Sequence, residues 1–337
     1  MRLVSVFLLC LSLISPAVAQ NGYVGGIGAG DMGGNLSGGI GFGLVAGAVG
    51  SAPSPSYQGP GDIAPGALGF WSCGRAYNDA YATAQSPLCT VVDTTTGLAS
   101  CTFNVGTNGY ANLTALVCVG NTLSVTTFCT VTHLGCSVSE MFDQSGNGLN
   151  ATQASLVDMP AFTLNAQNSL PCPAGTNTTG TVLTTSPLIR GAPYSMEAVA
   201  ERTGAVTTPQ TIVGSATTGN LNPAAVLTFT NVSGQVSIDN GATINLTGVT
   251  ESAPHALIAV SSASDPLFAA DSGSNTSASD NGTNTIHFSV HLMNNSSGTV
   301  PFRDGYLCEA AIWPSDLNTD YTSILANMRS NSVGWNF

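Results

Sequence analysis

The chain has 337 residues, of which 43% are hydrophobic and 7% charged; eighteen Asp and Glu against six Arg, with no Lys, give a net charge of −12. So sparse and acidic a charge excludes the clustered cations that a nucleic-acid footprint requires, and it disfavours docking on anionic lipid. Contacts to a ligand then fall to Asn, Thr, Ser, Asp and a few aromatics, side chains that suit neutral, hydroxyl-rich molecules.

Residues 1–19 carry the plan of a secretory signal peptide: Arg2, an apolar run over 3–14, and Ala17-Val18-Ala19 ahead of Gln20. The run is shorter than the roughly 20 apolar residues that span a bilayer, and polar residues interrupt every later segment, so no membrane insertion is expected. The mature chain is expected to be periplasmic, secreted or otherwise extracellular. Cys10 follows Leu9, which is too bulky for a lipid-attachment site, and leaves with the signal. Cys73, Cys89, Cys101, Cys118, Cys129, Cys136, Cys172 and Cys308 remain, an even set that an oxidising compartment turns into disulfides. Neither a Cys-x-x-Cys pair nor a Cys/His cluster at zinc spacing is present, so no structural metal is expected.

Residues 20–66 are a Gly/Pro-rich lead, expected to be flexible. Within it Gly28-Ala29-Gly30-Asp31-Met32-Gly33 matches G-x-G-x-x-G, but without a strand before it or a helix after it the match means nothing. From residue 67 short β-branched runs begin, at 91–92, 116–119, 123–125, 225–229, 236–238, 256–260 and 286–290, with Gly, Asn, Asp or Ser between them. Asp239-Asn240-Gly241 reads as a hairpin connection. Only residues 75–84 and 317–329 read as helical, the second with Asp316 as its cap. The expectation is one all-β domain over 67–337, a sandwich or a barrel with short peripheral helices.

Three segments then carry a resemblance. Phe70-Trp71-Ser72-Cys73-Gly74-Arg75-Ala76-Tyr77 comes first. Phe128-Cys129, Cys136 and Met141-Phe142-Asp143-Gln144-Ser145-Gly146-Asn147-Gly148-Leu149-Asn150 follow, and residues 301–314 close the set. Their order resembles laminin-G-like, concanavalin A-type domains of exported proteins and, locally, the catalytic domain of fungal α-L-arabinofuranosidases. The resemblance implies a two-sheet jelly-roll sandwich and a Cys129–Cys136 disulfide. It does not carry catalysis over. In the family the acid follows a strand in a Gly-Gly-Asp-Asn-Ser stretch, whereas this chain reads Leu292-Met293-Asn294-Asn295-Ser296-Ser297 there. An amide at Asn294 cannot donate a proton as a general acid, and the family's nucleophile stretch has no match.

The densest polar group, Asp143, Gln144, Ser145, Asn147 and Asn150, supports two readings. Its oxygens can line a sugar site or hold calcium, and no other cofactor is expected. It is also a turn sequence, with Gly146 and Gly148 supplying positive φ and Asp143 bonding nearby amides; a single carboxylate favours the turn. Glu309, on a strand, reads as paired with an Arg, and Arg303 is the candidate. His133, His255, His287 and His291 lie in separate segments; His287 and His291 share a strand face without an evident third ligand. Trp71, Trp313 and Trp335 offer rings for stacking on sugars, although Trp313 reads as core. Sequons at Asn112, Asn177, Asn231, Asn245 and Asn275 would take glycan in a eukaryotic secretory pathway.

The sequence thus points to an exported, non-catalytic carbohydrate- or surface-ligand-binding jelly roll, with Asp143, Gln144, Asn147, Asn294 and Asn295 as candidate contacts. A divergent glycoside hydrolase and a structural surface or tail-associated protein are the other two classes. No oligomeric state is specified.

Overall fold

The computed structural model describes residues 56–337, except 115–117, 119–122, 134, 176–180, 188–189, 205–206, 218–219, 240–242, 263–264, 272–273, 278–286 and 295–299. The signal peptide, most of the Gly/Pro lead, the G-x-G-x-x-G match, the Asn240-Gly241 turn and Asn295 therefore lie outside the described residues. Residues 57–64, which composition assigns to the lead, are packed: Tyr57 and Ala64 are buried, and Tyr57 donates to Ala76 O.

The described residues are mostly β. In chain order come β1 (Gly69–Ser72), β2 (Pro87–Asp93), β3 (Ser100–Asn104), β4 (Cys136–Met141), β5 (Ala151–Thr152) and β6 (Ala161–Gln167). Next are β7 (Leu170–Gly175), β8 (Leu183–Thr184), β9 (Tyr194–Arg202), β10 (Gln210–Thr217), β11 (Asn220–Phe229) and β12 (Gln235–Asp239). The last six are β13 (Thr243–Thr247), β14 (Pro254–Ser261), β15 (Leu267–Ala270), β16 (Ser274–Ser277), β17 (His287–Leu292) and β18 (Gly305–Trp313). The helices are short: α1 (Pro60–Ile63), α2 (Asp79–Thr83), α3 (Val125–Thr127) and α4 (Tyr321–Arg329).

Every strand pairing is antiparallel, and the pairings are continuous. One run follows the order β16–β15–β14–β9–β18–β1. A second follows β3–β2–β4–β5–β8–β17–β10–β11–β12–β13. The β6–β7 hairpin joins them, pairing with β4 on one side and β18 on the other.

Alternation of side chains along each strand decides what lies on either face. In the first run Met196, Ala198, Leu257, Ala259, Phe268 and Ala310 point into a core shared with Ile212, Leu227, Ile238, Val290 and Leu292 of the second run. Val199, Ala256, Ile258, Ala269, Ala311 and Trp313 point the other way, into a second cluster covered by Ile324, Leu325 and Met328 of α4 and by Trp335. The first run is therefore buried on both faces, which suits its near-continuous apolar sequence.

Four disulfides join Cys73–Cys89, Cys101–Cys118, Cys129–Cys136 and Cys172–Cys308. The last closes 136 residues between β7 and β18. In the chain-entropy treatment a loop of that length removes about 5 kcal/mol of freedom from the unfolded state.

Three local expectations are corrected. Residues 123–125 are not a strand, because Ser124 Oγ accepts the Thr127 N–H and opens α3 instead. The C-terminal helix starts at Tyr321; Asp316 turns back to accept the Asn318 N–H and does not cap it. The helix read over 75–84 is only Asp79–Thr83, capped by Asn78 through the Tyr81 N–H.

Glu309 is also partnered differently from the expectation. Its carboxylate takes Arg75 Nε and Nη2, not Arg303, and Trp335 Nε1 as well. The β1–β18 register is the reason: it sets Ser72 opposite Glu309, three residues before Arg75. Arg75 Nη1 donates to Asn327 Oδ1 of α4 and to Val333 O of the tail, and both charged side chains are fully buried. Breaking such a pair strands the other charge, at a cost of roughly 3–5 kcal/mol. Glu309→Gln should therefore lower the unfolding free energy by about that much, read from urea denaturation.

Glu197, also fully buried, belongs to the same polar centre. Burial first, and then the negative charge of Glu309, hold its carboxyl well above the usual range and favour its protonated form. A raised carboxyl costs stability as pH climbs from the unfolded value of about 4.3 towards the folded one. Glu197→Gln, neutral and isosteric, should flatten that part of the stability profile, measured as Tm against pH, and leave the fold intact.

Candidate functional site

The loop after β4 is built from its own polar side chains. Asp143 Oδ1 accepts the N–H of Phe70 at 3.1 Å and of Ser145 at 2.9 Å, and Oδ2 accepts that of Leu149 at 3.0 Å. Gln144 Oε1 accepts the Tyr77 N–H, and its Nε2 donates to Ser72 O and Arg75 O. Asn147 Nδ2 donates to Ala67 O and Leu68 O. Asn150 Oδ1 accepts the Asp143 N–H, while its Nδ2 donates to Glu140 Oε1 at 2.7 Å. Gly146 (φ +91°) and Gly148 (φ +72°) provide the left-handed corners that other residues resist. The segment thus clamps the chain on either side of β1. Asp143→Ala would leave three N–H groups without their acceptor, two of them within the loop itself. It should cost about 1–3 kcal/mol, measured by thermal or urea unfolding.

Asn294 follows Met293, whose N–H bonds Ile212 O, so it lies just past the end of β17 and beside β10. Glu140 and His291 belong to one register row, three antiparallel pairings apart, so β4 and β17 run in opposite directions. Asp143 and Asn294, each three residues beyond that row, consequently leave at opposite ends of the sheet. The sequence offered them as one set; the fold separates them.

All three tryptophans are buried, and each indole N–H is used: Trp71 on Leu149 O, Trp313 on Ala64 O, Trp335 on Glu309. At Gly74 a β-carbon would come within 2.3 Å of the Trp335 ring, so glycine there admits the indole. No tryptophan presents a ring to an outside ligand.

What the sequence did not disclose is a row across the second run. Its outer face is not covered by α4 as that of the first run is. In register, Thr102 faces Thr90, then Glu140, Thr152, Thr184, His291, Gly214, Val226, Asp239 and Thr243. The flanking residues on each strand, among them Phe103, Met141, Ala151, Leu183, Leu292, Leu227, Ile238 and Ile244, belong to the core, so the row points away from it. Most of its polar members are half-buried, and Thr152 and Thr243 are exposed. A second row, Thr211, Thr228, Ser237 and Asn245, runs beside it. Between the two rows lies a recess of about 190 Å³ lined by Thr211, Val226, Thr228, Ser237, Asp239 and Val300.

Electrostatically the row is quiet. Burial pushes the His291 imidazole down from its usual value, so it is neutral near pH 7 and can both donate and accept. Gly214 places no side chain at the centre of the row, between His291 and Val226. The row's two carboxylates, Glu140 and Asp239, are six strand spacings apart, about 29 Å along the sheet. Glycoside hydrolysis needs a pair about 5 Å apart for retention or about 6.5–9.5 Å for inversion. Hydroxyls, an imidazole and a carboxylate at each flank suit hydrogen bonding to a polyol more than they suit acid–base attack. Larger grooves of about 580 and 650 Å³ flank Ser332 and Val333 on the side that α4 covers, but they gather no comparable in-register set. Among the described residues no group of three or more His, Cys, Asp or Glu is arranged to hold a metal, and no helix is long and apolar enough to cross a membrane. The His287 side chain is outside the description.

No protein-family model matches the chain, and no curated protein matches it either. Among solved structures it is similar to an arabinofuranosidase in complex with arabinofuranosyl-α-1,2-xylobiose, with a TM-score of 0.59 and 16% identity over 82% of this chain and 65% of that one. A GH54 α-L-arabinofuranosidase soaked with a cyclic sulfate inhibitor gives a TM-score of 0.59 and 16% identity, with 82% and 65% covered. The chain thus spans about 65% of the length of these proteins. At this identity the likeness is one of fold.

Proposed function

We propose that this chain is an exported two-sheet, concanavalin A-like jelly roll that binds carbohydrate on the open face of its second run and does not hydrolyse it. The two runs would be the two layers, packed through their shared core and bridged at one edge by β6–β7. The fold likeness supports that architecture. Four disulfides and the signal-peptide pattern of residues 1–19 support export.

The observation that carries the reading is the register row. A glycan presents hydroxyls at intervals along a chain, and the row offers Thr, His and Asp partners at successive strand spacings of about 4.8 Å. Asn294, itself buried just past the end of β17, would hold the backbone of one rim. Asp143, Gln144 and Asn147 would hold the rim at the opposite end, chiefly by fixing the backbone there. The wide separation of Glu140 and Asp239 supports binding over turnover.

An array of plant, fungal and bacterial glycans, arabinose-containing ones included, tests this with the oxidised mature protein. The expected result is selective binding that free sugar displaces, with no sugar released on long incubation. Thr184→Ala and His291→Ala should each weaken Kd about tenfold, roughly 1.4 kcal/mol, with the fold unchanged by circular dichroism. Silence across the array from folded protein would overturn carbohydrate binding in favour of a structural surface role. Released sugar would instead make the chain a divergent glycoside hydrolase.

A further inference from the structure

His255 is the second residue of β14 and is almost fully buried. Its Nδ1 lies 2.7 Å from Asp271 Oδ2, and its Nε2 lies 2.6 Å from Thr250 O. Both facing atoms are acceptors. A carbonyl oxygen cannot donate, and a carboxylate cannot donate while ionised, so each contact is a hydrogen bond only if the ring nitrogen carries a proton. The geometry therefore calls for the imidazolium, with both nitrogens donating.

The two anchors belong to different parts of the chain. Asp271 directly follows β15, and its backbone and side chain also bond Ala256: Asp271 N–H donates to Ala256 O, and Asp271 Oδ1 accepts the Ala256 N–H. Thr250 lies in the connection from β13 to β14, where the chain crosses from the second run to the first. That connection is further held by Glu251, which accepts from Arg202 Nε and Nη2 and from the Gly234 N–H, and by the Ser252 N–H on Arg202 O.

We propose that His255 is a proton-operated clasp that fastens the β13–β14 crossover to the end of β15 and releases it when the ring loses its proton. The neutral ring keeps one N–H. With that proton on Nδ1 the bond to Asp271 survives, and the Nε2 lone pair is left against the Thr250 carbonyl, so the crossover is the arm that opens. The proton goes to solvent and no covalent bond changes. Among the described residues the charged and titratable groups around the ring are Asp271 after β15, Glu251 in the crossover and Glu201 on β9, whose neighbour Arg202 pairs with Glu251. The balance is anionic and favours the imidazolium.

Burial alone would lower the ring's pKa, but the bonds to Asp271 and Thr250 and the charges of Asp271 and Glu251 outweigh it and raise the value above 6.5. A histidine raised in the folded state contributes stability that is fully present below its unfolded value and is lost as pH rises through the folded one. The clasp is thus closed below the unfolded value of about 6.5 and opens as pH rises through the higher folded midpoint.

The test uses the whole mature protein. A nitrogen-resolved NMR titration of the four histidines, with His255 assigned by the spectrum of His255→Gln, reads the ring without depending on a variant's stability. Both His255 nitrogens should be protonated at pH 6, with a midpoint above 6.5. Across that midpoint, hydrogen exchange of the 250–253 amides, corrected for base catalysis, should lose about tenfold in protection, while β14 interior amides hold. Asp271→Asn should move the midpoint down. A single neutral tautomer at pH 6, or a crossover whose protection ignores the titration, would overturn the proposal. Both readouts are independent of glycan binding.

Discussion

The buried contact between Arg75 and Glu309 is the constraint around which the covered side of the molecule is arranged. A guanidinium and a carboxylate, both without solvent, survive in the interior only when nearly every donor and acceptor is met. Here the carboxylate takes Arg75 and Trp335, and the guanidinium also takes Asn327 and Val333 O. Four stretches are thereby drawn to one point: the turn after β1, the strand β18, the helix α4 and the C-terminal tail. The contact gains specificity more than net energy. An apolar pair of similar volume would pack as well but would not dictate which tail residue meets which strand.

That arrangement decides which surface remains open. With α4 and Trp335 laid over the first run, Val199, Ala256 and Ile258 have no access to solvent. Among the described residues the second run has no such cover, and its strands alternate core residues with Thr, Glu, His and Asp. A binding face here follows from where the helix went as much as from the polar residues themselves.

Several strands were legible in sequence as β-branched runs between turns, although the run at 123–125 opened a helix instead. Residues 225–229, 236–238, 256–260 and 287–290 fall within β11, β12, β14 and β17. β9 was not legible, because Tyr194-Ser195-Met196-Glu197-Ala198-Val199-Ala200 carries Met, Glu and Ala, good helix formers whose preference is overridden by burial on both faces. Gly214 interrupts β10 in the same way. The Asp143 loop was readable as a turn, since its Gly and Asn positions state their own backbone chemistry. The row was not readable at all. Alternation tells which face a residue takes, but strand order tells which residues become neighbours, and β8 beside β17 beside β10 is a pairing of segments far apart in the chain. The partner of Glu309 was hidden for the same reason, 234 residues away at Arg75.

The Cys172–Cys308 bond has one more consequence. Every strand from β8 to β17 lies between its two ends, and β8, β10 and β12, the sheet neighbours of β17 and β11, are all among them. A protease that cuts once inside that stretch makes two polypeptides and releases neither, because the pieces remain covalently tied through β7 and β18. In a medium rich in secreted proteases the molecule can be nicked in an exposed connection and still keep its parts together as a single particle.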